Sequence, residues 1–200
     1  MNPTLEAQLL EQATSGDPAA LSRLLQSHQN RLYNVALRMV SNRDDAAEVT
    51  QDAMVKIIEH IGSFQGKARV GTWMVRIVMN QCISHLRKRK LRTTTSLDDA
   101  PDDQMTALRN QLADSREPDI ESGVQTKELI GHLHAAMGQL DESFRAVLVL
   151  RDIDELDYDQ ISDVLEIPVG TVKSRLFRAR LALRQAMAKM LPTTLPSNEP

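Results

Sequence analysis

The chain has 200 residues, of which 42% are apolar and 3% aromatic, and its formal net charge is −3. This composition predicts a globular protein of one or two domains, and the many Ala, Leu, Met, Gln and Arg residues favour helices over strands. No apolar run reaches the roughly 20 residues of a membrane span, and residues 1–10 lack the pattern of a signal peptide. We therefore expect a cytoplasmic protein without direct membrane insertion.

The first long helix is predicted to begin at Asp17-Pro18, because Asp caps free N–H groups and Pro suits the first helical position. Its apolar residues recur at steps of three, four and seven, as on one helical face: Leu21, Leu24, Leu25, Leu32, Val35, Ala36 and Met39. Residues 41–45 end this helix and start a second. The second helix repeats its apolar residues at steps of four: Val49, Ala53, Ile57 and Ile61.

A third helix is predicted from about Thr72 to Lys90, after the break at residues 62–66. Its inward-facing residues are Trp73, Ile77, Cys82 and Leu86. Cys82 is the only cysteine, which excludes an internal disulfide, and its helical neighbours predict a buried, unreactive thiol.

Charge is segregated along the middle of the chain. Residues 61–97 contain no acid, whereas residues 98–121 hold eight acids against two arginines. This pattern is typical of a polyanion-binding face followed by an acidic connector. The basic residues of the first stretch are Lys67, Arg69, Arg76, Arg87, Lys88, Arg89, Lys90 and Arg92.

The predicted fold class is all-α, with two helical domains at residues 1–92 and 126–191. Residues 93–125 lack sustained periodicity and are predicted to be a flexible acidic linker, with a short helix near residues 105–112. Helical periodicity returns at Glu128, Leu133, Met137 and Leu140. Residues 192–200 are predicted to be a disordered tail.

Residues 157–180 predict a helix, a tight turn and a second helix. Asp157 and Gln160 have the spacing of a capping box, and Ile167-Pro168 redirects the chain. The second helix is predicted to bury Val169, Val172, Leu176 and Phe177 and to expose Lys173, Ser174, Arg175 and Arg178. A helix-turn-helix places such a second helix in the major groove, where Arg contacts guanine and Lys or Ser contacts phosphate.

Residues 167–180, IPVGTVKSRLFRAR, resemble the region-four signature of extracytoplasmic-function sigma factors of the sigma-70 family. The N-terminal half is similar to region two of that family, through DDAAEVTQD at 44–52, Phe64-Gln65-Gly66 and TWMVRIVMN at 72–80. The resemblance implies a sigma factor that directs promoter-specific initiation, as a stress or envelope response regulator, with no enzymatic activity and no cofactor or metal. Its implied partners are the clamp and flap of core RNA polymerase, promoter DNA, and an anti-sigma factor of a kind that is commonly membrane-anchored.

The resemblance also implies the functional residues, position by position. The residues implied to bind the polymerase clamp are Asp45, Glu48, Gln51 and Asp52. The residues implied to bind a flipped base of the minus-ten element and the DNA backbone around it are Phe64, Lys67, Arg69, Arg76, Asn80, Arg87, Lys88 and Arg89. Duplex recognition at minus thirty-five falls to Thr171, Lys173, Ser174, Arg175 and Arg178.

The loop after Phe-x-Gly departs from the family pattern. Many members carry acidic or small polar residues there, whereas this chain has Lys67, Ala68 and Arg69. The minus-ten preference therefore stays open, although a basic loop suits single-stranded DNA.

Other function classes compete with this interpretation. A helix-turn-helix regulator that acts without polymerase explains the C-terminal half but not the region-two pattern. A structural adaptor does not explain why the basic helix and the helix-turn-helix occur together. An enzyme is disfavoured because there is no phosphate-binding glycine loop or nucleophile elbow. Of the histidines His28, His60, His85, His132 and His134, the last two have the wrong spacing for a helical metal pair.

Overall fold

The computed structural model describes residues 3–95 and 123–190, and within these ranges it contains helices and no strands. The N-terminal half comprises α1 (Pro3–Thr14), α2 (Pro18–Val40), α3 (Arg43–His60) and α4 (Val70–Thr95), with a 3₁₀ turn at Ile61–Ser63. The C-terminal half comprises α5 (Gly123–Gln139), α6 (Glu142–Leu148), α7 (Tyr158–Leu165) and α8 (Val169–Met190). A π-helical turn, Val149–Ile153, continues α6. The predicted all-α class is confirmed.

The caps of α2 and α3 are local in sequence. The Asp17 carboxylate accepts hydrogen bonds from the backbone N–H groups of Ala19 (2.8 Å) and Ala20 (3.3 Å), as predicted. Asn42 caps α3 by accepting from the backbone N–H groups of Asp44 and Asp45. These bonds satisfy donors that the helix itself leaves unpaired, so both helix starts are fixed by their own residues.

Two helices differ from the prediction. Helix α1 was not predicted, because its short apolar face buries little beyond Leu9 and Ala13. Helix α4 runs beyond the predicted limits on both sides, from Val70 to Thr95, since its Arg, Lys and Leu residues favour the helical state. The body of the predicted linker, with the short helix near residues 105–112, and the tail at 192–200 lie outside the described residues. The domain bounds stay predictions.

The thiol of Cys82 is fully buried in the N-terminal half, and burial raises its pKa to about 12. The predicted burial of the thiol is thereby confirmed, and the raised pKa disfavours the thiolate, which is the reactive species.

The two halves pack against each other in one contiguous apolar core. Helix α4 contacts α6 and α7, and α2 contacts α5, α6 and the π-helical turn. The guanidinium of Arg31 in α2 binds the Asp154 carboxylate through two bonds, of 2.6 Å and 2.9 Å. In the part of the chain that the structure describes, no helix is long and apolar enough to cross a membrane, and no cluster of side chains is arranged to hold a metal ion.

Acidification is expected to destabilise the fold between about pH 7 and pH 5. Burial lowers the pKa of His28, although Glu6, 2.9 Å away, opposes the shift. Burial also lowers the pKa of His134, with Arg38 adding to the effect. A histidine whose pKa is lowered by folding binds its proton more readily in the unfolded chain, so stability falls as the pH drops below the ordinary value of 6.5.

Urea unfolding at the two pH values tests this expectation. In the double variant His28→Gln and His134→Gln, the stability should depend much less on pH, because the glutamine side chains do not titrate. An equal loss of stability on acidification in the wild type and the double variant would show that other groups are responsible.

Candidate nucleic-acid and polymerase interfaces

The helix-turn-helix of the C-terminal half is built from α7 and α8. Asp157 and Gln160 form the predicted capping box: the Asp157 carboxylate accepts from the Gln160 N–H at 2.8 Å, and the Gln160 side chain accepts from the Asp157 N–H at 3.0 Å. Glu166 ends α7 in the left-handed conformation, with φ 54°, and the Ser162 hydroxyl donates to the Ile167 carbonyl at 2.6 Å. The predicted helix-turn-helix is thereby confirmed, and its turn is held by hydrogen bonds.

Removing the cap is expected to destabilise the motif. Asp157→Ala should lower the free energy of unfolding by about 1 kcal/mol, because the Gln160 N–H at the start of α7 loses its acceptor. Thermal unfolding followed by circular dichroism measures the loss. Asp159→Ala is the matched control, since Asp159 is an exposed acid of the same turn that does not cap the helix. Equal losses in the two variants would contradict a specific capping role.

The outer face of α8 presents the residues predicted to contact the minus-thirty-five element. Lys173, Ser174 and Arg178 are exposed, whereas Thr171 and Arg175 are half-buried. The ammonium of Lys173 lies over the Tyr158 ring, 5.6 Å from its centroid, which steadies this long side chain beside the turn. A basic, accessible face at the start of the second helix is the geometry that the major groove accepts.

The predicted burial of Phe177 is wrong. Val172, Leu176 and Ala179 are buried at helical spacing, and Phe177 follows Leu176 on the other side of α8, where it is 74% exposed. It lies three and four residues after Ser174 and Lys173, so its ring shares their outer face.

The loop predicted to capture the minus-ten strand joins the 3₁₀ turn to α4. The half-buried Phe64 ring packs edge-to-face on Trp73, with 5.3 Å between centroids, whereas Lys67 and Arg69 are exposed. Trp73 is therefore part of the local packing and supports Phe64. The exposed cations of this loop suit a nucleic-acid backbone.

Helix α4 divides the predicted minus-ten residues between two faces. Arg76, Asn80 and Arg87 are spaced by four and seven, which keeps them on one side of the helix. Lys88 and Arg89 instead border a cleft of about 270 Å³ between α3 and α4. The sequence did not predict this division, because consecutive residues point to different sides of a helix and the sequence does not show which side α3 covers.

The same cleft contains most of the residues predicted to bind polymerase. Asp45, Glu48 and Asp52 line it, whereas Gln51 is exposed outside it. The Asp45 carboxylate lies 3.2 Å from Arg89 and 3.4 Å from His85. The structure thus brings together acids and bases for which the family resemblance implies different partners. His85 and Arg92 also line the cleft, although the sequence predicts a functional role for neither residue.

Family models and curated relatives agree with these features. The Sigma-70 region 2 model matches residues 24–92 and the Sigma-70, region 4 model matches residues 131–183. The RNA polymerase sigma-H factor of Pseudomonas aeruginosa is 33% identical over 93% of this chain and 95% of its own length. The ECF RNA polymerase sigma factor SigW of Bacillus subtilis is 32% identical over 89% of this chain and 94% of its own length.

Solved structures match the fold. The sigma factor RpoE of Bartonella quintana, solved with the anti-sigma factor NepR, aligns with a TM-score of 0.66 at 20% identity, over 84% of this chain and 96% of its own. CnrH, solved with the cytosolic domain of CnrY, aligns with a TM-score of 0.64 at 20% identity, over 92% of this chain and 98% of its own. From its two family matches and its curated relatives, the chain belongs to the extracytoplasmic-function sigma factors of the sigma-70 family.

Proposed function

We propose that this chain binds core RNA polymerase and directs it to specific promoters, with region two at the minus-ten element and region four at the minus-thirty-five element. The observation that supports the proposal is the pair of family matches, to region 2 and then to region 4, along one chain. The protein acts without a cofactor and catalyses no reaction of its own. Its place of action is the cytoplasm, where polymerase and promoter DNA are found.

The contact with the polymerase clamp is proposed for the α3 wall of the cleft between α3 and α4 and for Gln51 beside it. Glu48 and Asp52 are exposed in the cleft, Gln51 is exposed outside it, and Asp45 is half-buried beside Arg89. Exposed carboxylates on a rigid helix offer directional acceptors to a basic partner. The contact with the polymerase flap is proposed for region four.

Charge reversal at this face is expected to weaken initiation. Asp52→Lys should lower polymerase-dependent run-off transcription several-fold, because it replaces an attraction with a like-charge contact. Glu11→Lys is the matched control, since Glu11 is an exposed acid on α1, outside the family match. Initiation that is insensitive to Asp52→Lys would remove Asp52 from the proposed polymerase contact.

The promoter contacts are proposed for two separate surfaces. The minus-ten strand would lie along the 64–70 loop and the α4 face that carries Arg76, Asn80 and Arg87. The minus-thirty-five duplex would take the N-terminal part of α8. Support comes from the exposure of the loop cations and of Lys173, Ser174 and Arg178.

Control by an anti-sigma factor is part of the proposal. A structurally similar sigma factor was solved in complex with an anti-sigma factor. We expect this chain to be held in the same general way until a stress or envelope signal releases it, by a partner that the family commonly anchors in the membrane.

Run-off transcription tests the proposed function directly. Purified core polymerase is supplied with a promoter library, with and without this protein. We expect protein-dependent initiation at a set of promoters that share two sequence elements. No added initiation, together with specific duplex binding by the chain alone, would instead identify a helix-turn-helix regulator that works without polymerase.

A further inference from the structure

A cavity of about 230 Å³ lies between the end of α2 and α5. Leu37 and Met137 supply apolar walls, and the two helices approach closely at one edge, where a Cβ on Gly138 would lie 3.7 Å from the hydroxyl oxygen of Ser41. Sites for drug-sized ligands span roughly 300–1,000 Å³, so this cavity suits a smaller molecule with an apolar body. None of the residues proposed to contact polymerase or promoter lines it.

The charged lining of this cavity is positive. Arg38 and Arg43 line it, and no Asp or Glu of the described residues does. Arg38 is half-buried and, among the residues that the structure describes, forms no hydrogen bond or ion pair. A half-buried guanidinium without a carboxylate beside it favours an anionic ligand, and its planar fork matches the two oxygens of a carboxylate.

Two histidines of α5 add hydrogen-bonding groups to the cavity. His132 and His134 both line it, and in the described part of the chain Nδ1 of His132 and Nε2 of His134 are buried without a hydrogen-bond partner. Burial lowers the pKa of His134, and Arg38 adds to the effect, so its imidazole is mostly neutral at pH 7 and can donate from one ring nitrogen. Buried polar atoms of native proteins are nearly always paired, and a ligand oxygen would supply a partner.

These features together select one class of ligand. A metal ion is disfavoured, because no described carboxylate or thiol lines the cavity and the two imidazoles are only two residues apart on α5. A cation would be repelled by the two arginines, and free phosphate would leave the apolar walls uncovered. A molecule with one carboxylate and an apolar body uses both the guanidinium and the apolar walls.

We propose that this cavity binds a small apolar carboxylate, which the guanidinium of Arg38 holds while Leu37 and Met137 pack against the body of the ligand. The imidazoles of His132 and His134 border the bound molecule. The lining comes from both family matches, at residues 24–92 and 131–183, so the ligand contacts both regions. The site goes beyond the proposed function, because binding there requires neither polymerase nor DNA.

Isothermal titration calorimetry of the full-length chain with octanoate tests the site. We expect octanoate to bind, acetate to bind far more weakly because it lacks the apolar body, and octylammonium, which carries the opposite charge, not to bind. Arg38→Gln should weaken octanoate binding about tenfold or more, because it removes charge-assisted hydrogen bonds. The matched control is Arg23→Gln, since Arg23 is exposed on the same helix, about 22 Å from Arg38 at 1.5 Å per residue.

A second variant and a second readout locate the bound molecule. Ala135→Leu should abolish octanoate binding without changing any charge, because Ala135 lines the cavity and the larger side chain fills it. Nuclear magnetic resonance of the histidine ring nitrogens should show octanoate-dependent shifts at His132 and His134 and at no other of the five histidines. Circular dichroism confirms that each variant is folded.

Absence of octanoate binding, or equal binding in the wild type and Arg38→Gln, would overturn the proposal. Shifts at His28, His60 or His85 in place of His132 and His134 would locate the carboxylate elsewhere and overturn it as well. Support requires binding that depends on both the carboxylate and the apolar chain, that weakens in Arg38→Gln but not in Arg23→Gln, and that shifts only the two α5 histidines. None of these outcomes depends on transcription initiation, so the proposed function is tested separately.

Discussion

Replacing Arg145 with alanine is expected to lower the free energy of unfolding by about 3–5 kcal/mol, the largest loss we expect from a single charged side chain. Arg145 is 7% exposed, and its guanidinium donates to the backbone carbonyls of Met39 (2.5 Å), Gly138 (2.7 Å) and Leu140 (3.0 Å). Alanine would leave three carbonyls without this donor and a cavity beside them. Burial lowers the pKa of Arg145, but an arginine stays charged at neutral pH.

Urea unfolding measures the loss of stability, and two further variants serve as comparisons. Arg180→Ala should cost less than about 1 kcal/mol, because its pair with Asp152 is exposed to solvent and screened. Arg145→Lys should fall between the two, since one ammonium cannot reproduce the planar fork that spans three carbonyls. If Arg145→Ala costs no more than Arg180→Ala, the three carbonyls must find other partners.

The sequence predicted the features whose causes are local. The start of α2 depends on Asp17 and the residues just after it, and the start of α7 depends on Asp157 and Gln160. Both signals lie within one helical turn of the feature they determine, so single-sequence reasoning can find them. The apolar face of α2 likewise repeats within one segment.

The sequence could not predict which residues meet across the fold. Arg31 and Asp154 are 123 residues apart, and Arg76 and Glu166 are 90 residues apart. Periodicity identifies a buried face but does not say what packs against it. For the same reason the division of the basic run of α4 between two faces became visible only when α3 was placed beside it.

Phe177 shows where pattern reasoning failed in the site itself. Hydrophobicity alone predicts a core position for an aromatic residue next to Leu176, although adjacent residues of a helix point in different directions. Its exposure beside Lys173 and Ser174 enlarges the accessible face of α8 by one apolar ring.

Loss of Arg175 and Arg178 together is expected to reduce initiation at promoters that carry the matched minus-thirty-five element by about a hundredfold, since each bidentate contact with guanine contributes roughly 1–3 kcal/mol. Arg178 is exposed and Arg175 half-buried, so Arg178→Ala should account for the larger part. The measurement is run-off transcription on the matched promoter and on one with a scrambled element. Arg184→Ala, an exposed arginine further along α8, is the control.

The contrast with Lys173→Ala separates base contact from backbone contact. Loss of a phosphate contact weakens binding to all sequences alike and reduces the salt dependence of binding by about one counterion. Loss of a base contact instead reduces the difference in initiation between the promoter with the matched element and the promoter with the scrambled element. Equal losses on both promoters in the double arginine variant would mean that Arg175 and Arg178 hold the backbone, and sequence recognition would then have to come from Thr171, Ser174 or the shape of the duplex.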